Sequence, residues 1–165
     1  MAGKLEDQLK KKRGFASAQQ AVVVGMLRTN DMFQYRFGQL FRSFELTQPQ
    51  YNVLTILRGE GKPLPILEIR ERLVARTAAI TGLVDKLVRG GLVDREQCSD
   101  DRRVWYVSLT EAGQELVARM DDSVMKLHKD LCRGLSTTEC KQLAELMERA
   151  REGAASEDKP SVRVQ

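Results

Sequence analysis

Arg103–Leu109 (RVWYVSL) alternates in steps of two, so that Trp105, Val107 and Leu109 share one face, and just upstream Leu92–Gln97 (LVDREQ) is a second strand-like run. Polar turn residues separate them, so the simplest pairing is a β-hairpin. Elsewhere the apolar spacing is helical. The expected fold is therefore mainly α with a small β-hairpin (α+β).

Ser17 to Phe44 contains no proline and repeats apolar residues at three- and four-residue steps through Val23, Leu27, Phe33, Phe37, Leu40, Phe41 and Phe44, which predicts one long helix. Thr47-Gln48-Pro49-Gln50 reads as a capping box with proline tolerated in the first turn. A helix of about ten residues burying Tyr51, Leu54 and Leu57 is expected to follow. RGEGKPLP (58–65) then breaks the helix in favour of an extended connection and a short strand. Two amphipathic helices follow, over 66–73 and 77–91, the second stopped by Gly90-Gly91 as a left-handed cap. Joined by a tight turn, they form a helix-turn-helix pattern. Beyond the hairpin, Thr110 caps a long helix with apolar Leu116, Val117, Met120, Val124, Leu127 and Leu131. Ser136-Thr137-Thr138-Glu139 is a second capping box, opening a last helix to about Arg151.

This order is a winged helix-turn-helix flanked by helices, with these expected boundaries: a flexible basic segment over 1–16, an N-terminal dimerisation helix over 17–46, the winged region over 47–110, C-terminal dimerisation helices over 111–152 and a disordered tail over 153–165. The flanking helices are called dimerisation helices because their apolar residues exceed what a small winged domain can cover. The 165 residues, 42% of them hydrophobic, suffice for a packed core, and the net charge of +4 is compatible with a polyanionic partner without requiring one. No apolar run approaches the roughly 20 residues that span a bilayer, and the N-terminus lacks the apolar centre of a signal peptide, so a cytoplasmic protein is expected. With one histidine, no Ser/His/Asp grouping and no glycine-rich phosphate loop, neither an enzyme nor a cofactor is expected.

Three ordered motifs resemble the MarR family of transcription regulators: Leu46-Thr47-x-x-Gln50-Tyr51-x-x-Leu54; Ile80-Thr81-x-Leu83-Val84-Asp85-Lys86-Leu87 with Gly91-Leu92-Val93; and Asp101-x-Arg103 followed by Leu109-Thr110-x-x-Gly113. The resemblance runs from about Leu27 to Arg149. It implies a homodimeric repressor that binds a palindromic operator in double-stranded DNA and is released by a small-molecule ligand. By the resemblance, Asp101 organises the wing and Arg103 reaches the DNA. Physical reasoning agrees: a guanidinium at a hairpin tip suits the minor groove, where negative potential is strongest over A·T-rich DNA. A helix entering the major groove needs small or hydrogen-bonding residues at its leading end, and Thr77, Ala78, Ala79 and Thr81 suit that, while Leu83, Val84 and Leu87 face the core. Arg76, Lys86, Arg95 and Arg102 are expected at phosphates. Asp100 is expected to cap the turn through its own backbone. Gly82 stands where many members carry a polar side chain, which leaves close approach to DNA or packing as its purpose.

Family members bind small, often aromatic or anionic effectors between the dimerisation helices and the DNA-binding lobe, which implies Phe33, Arg36, Phe37 and Tyr51 as ligand residues here. The alternatives are a redox- or metal-responsive regulator using Cys98 or His128, Cys132 and Cys140, and a winged-helix protein-interaction module in which the basic wing meets an acidic partner. The three cysteines show no CxxC spacing and read first as reduced thiols, with no metal expected.

Overall fold

Ser17 opens the longest helix by accepting the Gln20 N–H on its hydroxyl at 3.1 Å. The computed structural model describes residues 5–74 and 79–155. In chain order the elements are α1 (Leu5–Gln8), α2 (Ala18–Arg42), α3 (Gln48–Glu60), β1 (Leu64–Pro65), α4 (Ile66–Arg72), α5 (Ile80–Arg89), β2 (Val93–Gln97), β3 (Trp105–Leu109), α6 (Glu111–Leu131) and α7 (Thr137–Ala155). The short α1 stands inside the segment read as flexible, and α7 runs past Arg151 to Ala155. The rest of the expected tail, 156–165, lies outside the described residues.

The α2–α3 corner is made by Glu45, which takes a positive φ of 58° so that the Leu46 N–H can donate to the Phe41 carbonyl at 2.9 Å. The capping box at Thr47 is present: its backbone N–H donates to Gln50 Oε1 at 2.8 Å, and its hydroxyl accepts the Gln50 N–H at 3.4 Å. Helix α3 continues through Gly59 and stops only at Gly61, whose φ of 69° closes it, so the expected break at Arg58 comes too early. Val53, Leu54 and Leu57 are buried there, which repays a glycine inside the helix, while Tyr51 is half-buried.

The hairpin is part of a three-stranded antiparallel sheet in the order β1-β3-β2, with Leu64 opposite Val107 and Arg95 opposite Val107 on the other side. Strand β3 starts at Trp105, two residues later than expected. Val107 is fully buried, and Trp105 and Leu109 are half-buried against the same core. Helix α4 ends at Arg72, one residue short of the expected span.

Helix α5 ends in a left-handed turn with the geometry of a Schellman motif. Gly90 is right-handed, and Gly91, at φ 69°, is the left-handed residue. The Gly91 N–H donates to Val88 O at 2.9 Å and the Leu92 N–H to Leu87 O at 3.0 Å. This turn is fastened to the start of α6. Thr110 donates its hydroxyl to Gly91 O at 2.7 Å, accepts the Gly113 N–H at 3.1 Å, and donates its own N–H to Leu92 O at 3.2 Å. A Cβ on Gly113 would stand 2.1 Å from Leu92 O, so only glycine fits.

The chain divides into two compact units at Val124/Met125. The first holds the core, where Val53, Leu54, Ile69, Val84, Leu87, Val107, Val117 and Met120 are all inaccessible to solvent. Its α2 helix exposes Val22, Val23, Met26, Leu27, Met32 and Tyr35. In the second unit α7 begins at the Ser136–Glu139 capping box and buries none of its residues, leaving Leu143, Leu146 and Met147 exposed. No helix among the described residues is long and apolar enough to cross a membrane.

Gly113→Ala is expected to lower the free energy of unfolding by about 1–3 kcal/mol, because the carbonyl it would strike belongs to backbone that cannot rotate away. Urea denaturation of the variant beside the parent chain measures this, and an unchanged midpoint would show that α6 can shift to make room.

Candidate nucleic-acid interface

Helix α5 is sharply two-sided. Ile80, Val84 and Leu87 are buried and Leu83 is half-buried, while Thr81, Gly82, Lys86 and Arg89 face outward. Ala79, just before the helix, is exposed and supplies no side-chain cap. Arg76, Thr77 and Ala78 lie outside the described residues. Apart from its chain neighbours and the backbone of its own helix, no atom of the described residues comes within 4 Å of a Cβ added to Gly82, so packing against other elements does not account for this glycine. Its outer surface is bare backbone, open to close approach.

At the wing tip, Asp101 organises its neighbours through both carboxylate oxygens. Oδ1 accepts the Arg103 backbone N–H at 2.9 Å and Arg103 Nε at 3.1 Å, and Oδ2 accepts Arg103 Nη2 at 3.1 Å. The turn is closed by the Val104 N–H donating to Asp101 O at 2.9 Å and by Gln97 Nε2 donating to Arg102 O at 2.6 Å. Arg103 is nevertheless 90% exposed, so its fork is steadied from behind while its outer edge faces solvent. Arg102 is exposed beside it. Asp100 accepts the Ser99 hydroxyl at 3.3 Å and lies in the same turn. The Arg103 side chain, and then its backbone N–H, hold the Asp101 carboxyl below its ordinary pKa.

Arg95 stands apart from the other expected phosphate contacts. Its Nη1 donates to Asp85 Oδ1 at 2.8 Å and its guanidinium lies 4.2 Å from the centre of the Trp105 ring. The side chain is 23% exposed, against 90% for Arg103, so it is largely enclosed by these partners. Asp85 and Trp105 were not among the expected site residues. The signal was available: Arg95 shares strand parity with Val93, which is buried, and so points to the packed side of the sheet.

Of the expected ligand residues, Phe37 and Tyr51 take part in ring stacking. Phe37 stacks on Phe41 with centroids 5.8 Å apart, and Phe41 stacks on Tyr51 at 4.7 Å, so two of the four serve packing. Phe33 is half-buried and Arg36 exposed. Burial raises the Tyr51 hydroxyl pKa, with Asp121 adding to the effect; Asp121 itself is paired to Arg58 at 2.8 and 2.9 Å. A cavity of about 410 Å³ lies on another face of α2, lined by Gln34, Phe41, Arg42, Leu46, Asn52 and Leu73 among others.

Among the described residues no three His, Cys, Asp or Glu side chains stand close enough to hold a metal, so His128, Cys132 and Cys140 do not form a ligand set. Cys98 is half-buried on the approach to the wing tip, its N–H donating to Val104 O at 2.9 Å. Partial burial, and then the neighbouring Cys132, raise the Cys140 thiol pKa.

A carboxyl whose folded pKa is depressed contributes its brace above the unfolded pKa and loses it as pH falls through the folded one. The Asp101 brace is therefore complete at neutral pH. Titration of Asp101 by NMR should give a midpoint below the unperturbed value of about 3.9, and Arg103→Ala should move it back up. An unshifted midpoint in the parent chain would mean that the fork is not formed in solution.

The profile of the MarR family matches residues 46–105, from the approach to α3 to the first residue of β3. The HTH-type transcriptional repressor IacR of Pseudomonas putida is 28% identical over 123 residues, covering 74% of this chain and 73% of that protein. BpsR of Bordetella bronchiseptica, whose DNA binding is regulated by 6-hydroxynicotinic acid, has the same fold, with a TM-score of 0.72 at 23% identity over 79% of this chain and 98% of that one. The crystal structure of a MarR transcription factor from Planctomyces limnophilus superimposes with a TM-score of 0.66 at 33% identity, covering 82% of this chain and 98% of that one. With the winged helix-turn-helix, the Asp101–Arg103 tip and the Thr110–Gly113 fastening in place, the chain belongs to the MarR family.

Proposed function

We propose that this chain is a cytoplasmic transcriptional repressor that binds a palindromic operator as a homodimer and is released by a small-molecule effector. The observation that carries the DNA reading is the pairing of a bare, small-residue face on α5 with an exposed arginine fork steadied at the wing tip. The first suits a major groove, the second the adjacent minor groove. In this reading Thr81 reads base edges, with Ala79 at the leading end of the helix. Lys86 and Arg102 set register on phosphates. Repression is the role carried by the name of the Pseudomonas putida relative. No catalytic step is proposed.

The exposed apolar faces of α2 and α7 support dimerisation, since an uncovered run such as Val22, Val23, Met26 and Leu27 is costly in water. A two-fold dimer presents its α5 helices to half-sites about one DNA turn apart. For the effector, a small organic acid is favoured by the relative regulated by 6-hydroxynicotinic acid. We place it in the cavity lined by Arg42, Phe41 and Leu73 rather than among Phe33, Arg36, Phe37 and Tyr51, because that cavity joins apolar walls to a guanidinium.

Selection of duplexes from a random pool is expected to return an imperfect palindrome whose affinity falls steeply as salt rises. Competition by bulk DNA as effective as by the selected duplex would favour the protein-interaction reading instead. On that operator, Arg103→Ala should cost about 1–3 kcal/mol of binding with little change in melting temperature. Gly82→Ala should stabilise the helix by roughly 1 kcal/mol yet weaken the operator complex, and stabilisation with unchanged affinity would remove its close-approach role.

A further inference from the structure

Arg95 occupies a position that a phosphate-binding arginine does not need. It springs from β2, donates to Asp85 on α5, and sets its guanidinium over the ring of Trp105 on β3. Three separate elements therefore meet on one guanidinium. Its Nε is buried without a hydrogen-bond partner among the described residues, a cost accepted only where the rest of the group is held in place. One terminal N–H is given to Asp85, one face meets Trp105, the Nε N–H is buried, and the side chain is only 23% exposed, so it stands back from the surface where a phosphate would be met. Withdrawing Arg95 towards DNA would also bare the Asp85 carboxylate on the helix that enters the groove, and a bare carboxylate there repels the backbone.

The fastening at Thr110 and Gly113 holds the base of the wing but says nothing about its lean. Two points define that lean: the base, and a contact further along the strands. Arg95 provides the second, two residues along β2 from Val93 and diagonal to Trp105 in the register that pairs Gln97 with Trp105.

We propose that Arg95 is a positioning residue: clamped between Asp85 and Trp105, it sets the angle of the wing against α5, so that Thr81 and Arg103 meet one half-site at a fixed spacing. This rests on the DNA reading above. It replaces the expected phosphate contact and adds Asp85 and Trp105 to the site as parts of a brace.

The test uses the full chain with Arg95→Met, which keeps the packing stem, Arg95→Lys, which keeps the charge without the flat fork, and Asp85→Asn. Each is measured on the duplex selected by the parent chain, on versions altered only at outer, wing-facing positions, and on versions altered only at inner positions under α5. All three variants should lose discrimination at outer positions about tenfold, keep it at inner positions, and retain the parent's dependence of affinity on salt. Trp105 is the only tryptophan, so its emission reports the clamp without DNA and should change in Arg95→Met. A fall of about one in the salt slope for Arg95→Met with all discrimination kept would make Arg95 a phosphate contact and overturn the proposal. Equal loss at inner and outer positions, or full recovery by Arg95→Lys, would overturn it too. If the parent chain selects no duplex, the DNA reading fails; the emission of Trp105 in Arg95→Met then still decides whether the clamp exists, and unchanged emission would overturn it.

Discussion

The carbonyl of Leu92 is the point on which the DNA-facing half of the molecule hangs. It accepts the Thr110 N–H while Gly113 of α6 passes so close that no Cβ can stand between them. Thr110 spends its hydroxyl twice at the same place, capping α6 and tying the Gly91 carbonyl. The end of α5, the start of β2, the end of β3 and the start of α6 thus share a few ångströms of backbone. Such a junction tolerates little adjustment, because every group in it is main chain or a short side chain with one staggered position to choose. From this junction extend α5 on one side and the wing on the other; these are the two elements proposed to meet DNA.

Features that depend on local chemistry were legible in the sequence. The two capping boxes, the glycine pair after α5 and Thr110 before α6 all follow from which side chains can satisfy a helix end, and each is where its residues placed it. The winged order and its resemblance to the MarR family were equally accessible, because three motifs recur in one sequence of elements. The end of α3 was less so: Gly59 reads as a breaker, but burial of Leu57 carries the helix two residues further. The left-handed Glu45 carries no compositional signal at all, since a glycine or asparagine would ordinarily mark that turn.

The site divides along the same line. Asp101 and Arg103 are two residues apart, so their mutual brace is a local event. Arg95 and Asp85 are ten apart and Trp105 lies on another strand, so charge alone suggested a phosphate, and only the parity with Val93 hinted at the packed side. The aromatic residues near α2 follow a related pattern. Phe37 on α2 and Tyr51 on α3 are expected at a ligand, and ring stacking through Phe41 also makes them mortar between the two helices. The charges of the wing tip divide by role: Asp101 organises, Arg103 is presented, and the backbone of Arg102 is held by Gln97. A guanidinium that is already ordered loses less entropy on binding a partner.

The open apolar faces of α2 and α7 carry a consequence for regulation by quantity. Whatever covers Val23, Leu27, Leu143 and Leu146 adds its binding free energy to the stability of the helices that bear them. If the cover is a second copy, mass action enters twice, since the same concentration that holds the fold together also sets how many paired recognition helices exist. The number of copies in a cell then acts as a control variable alongside any effector, and dilution at division weakens both stability and occupancy of DNA together.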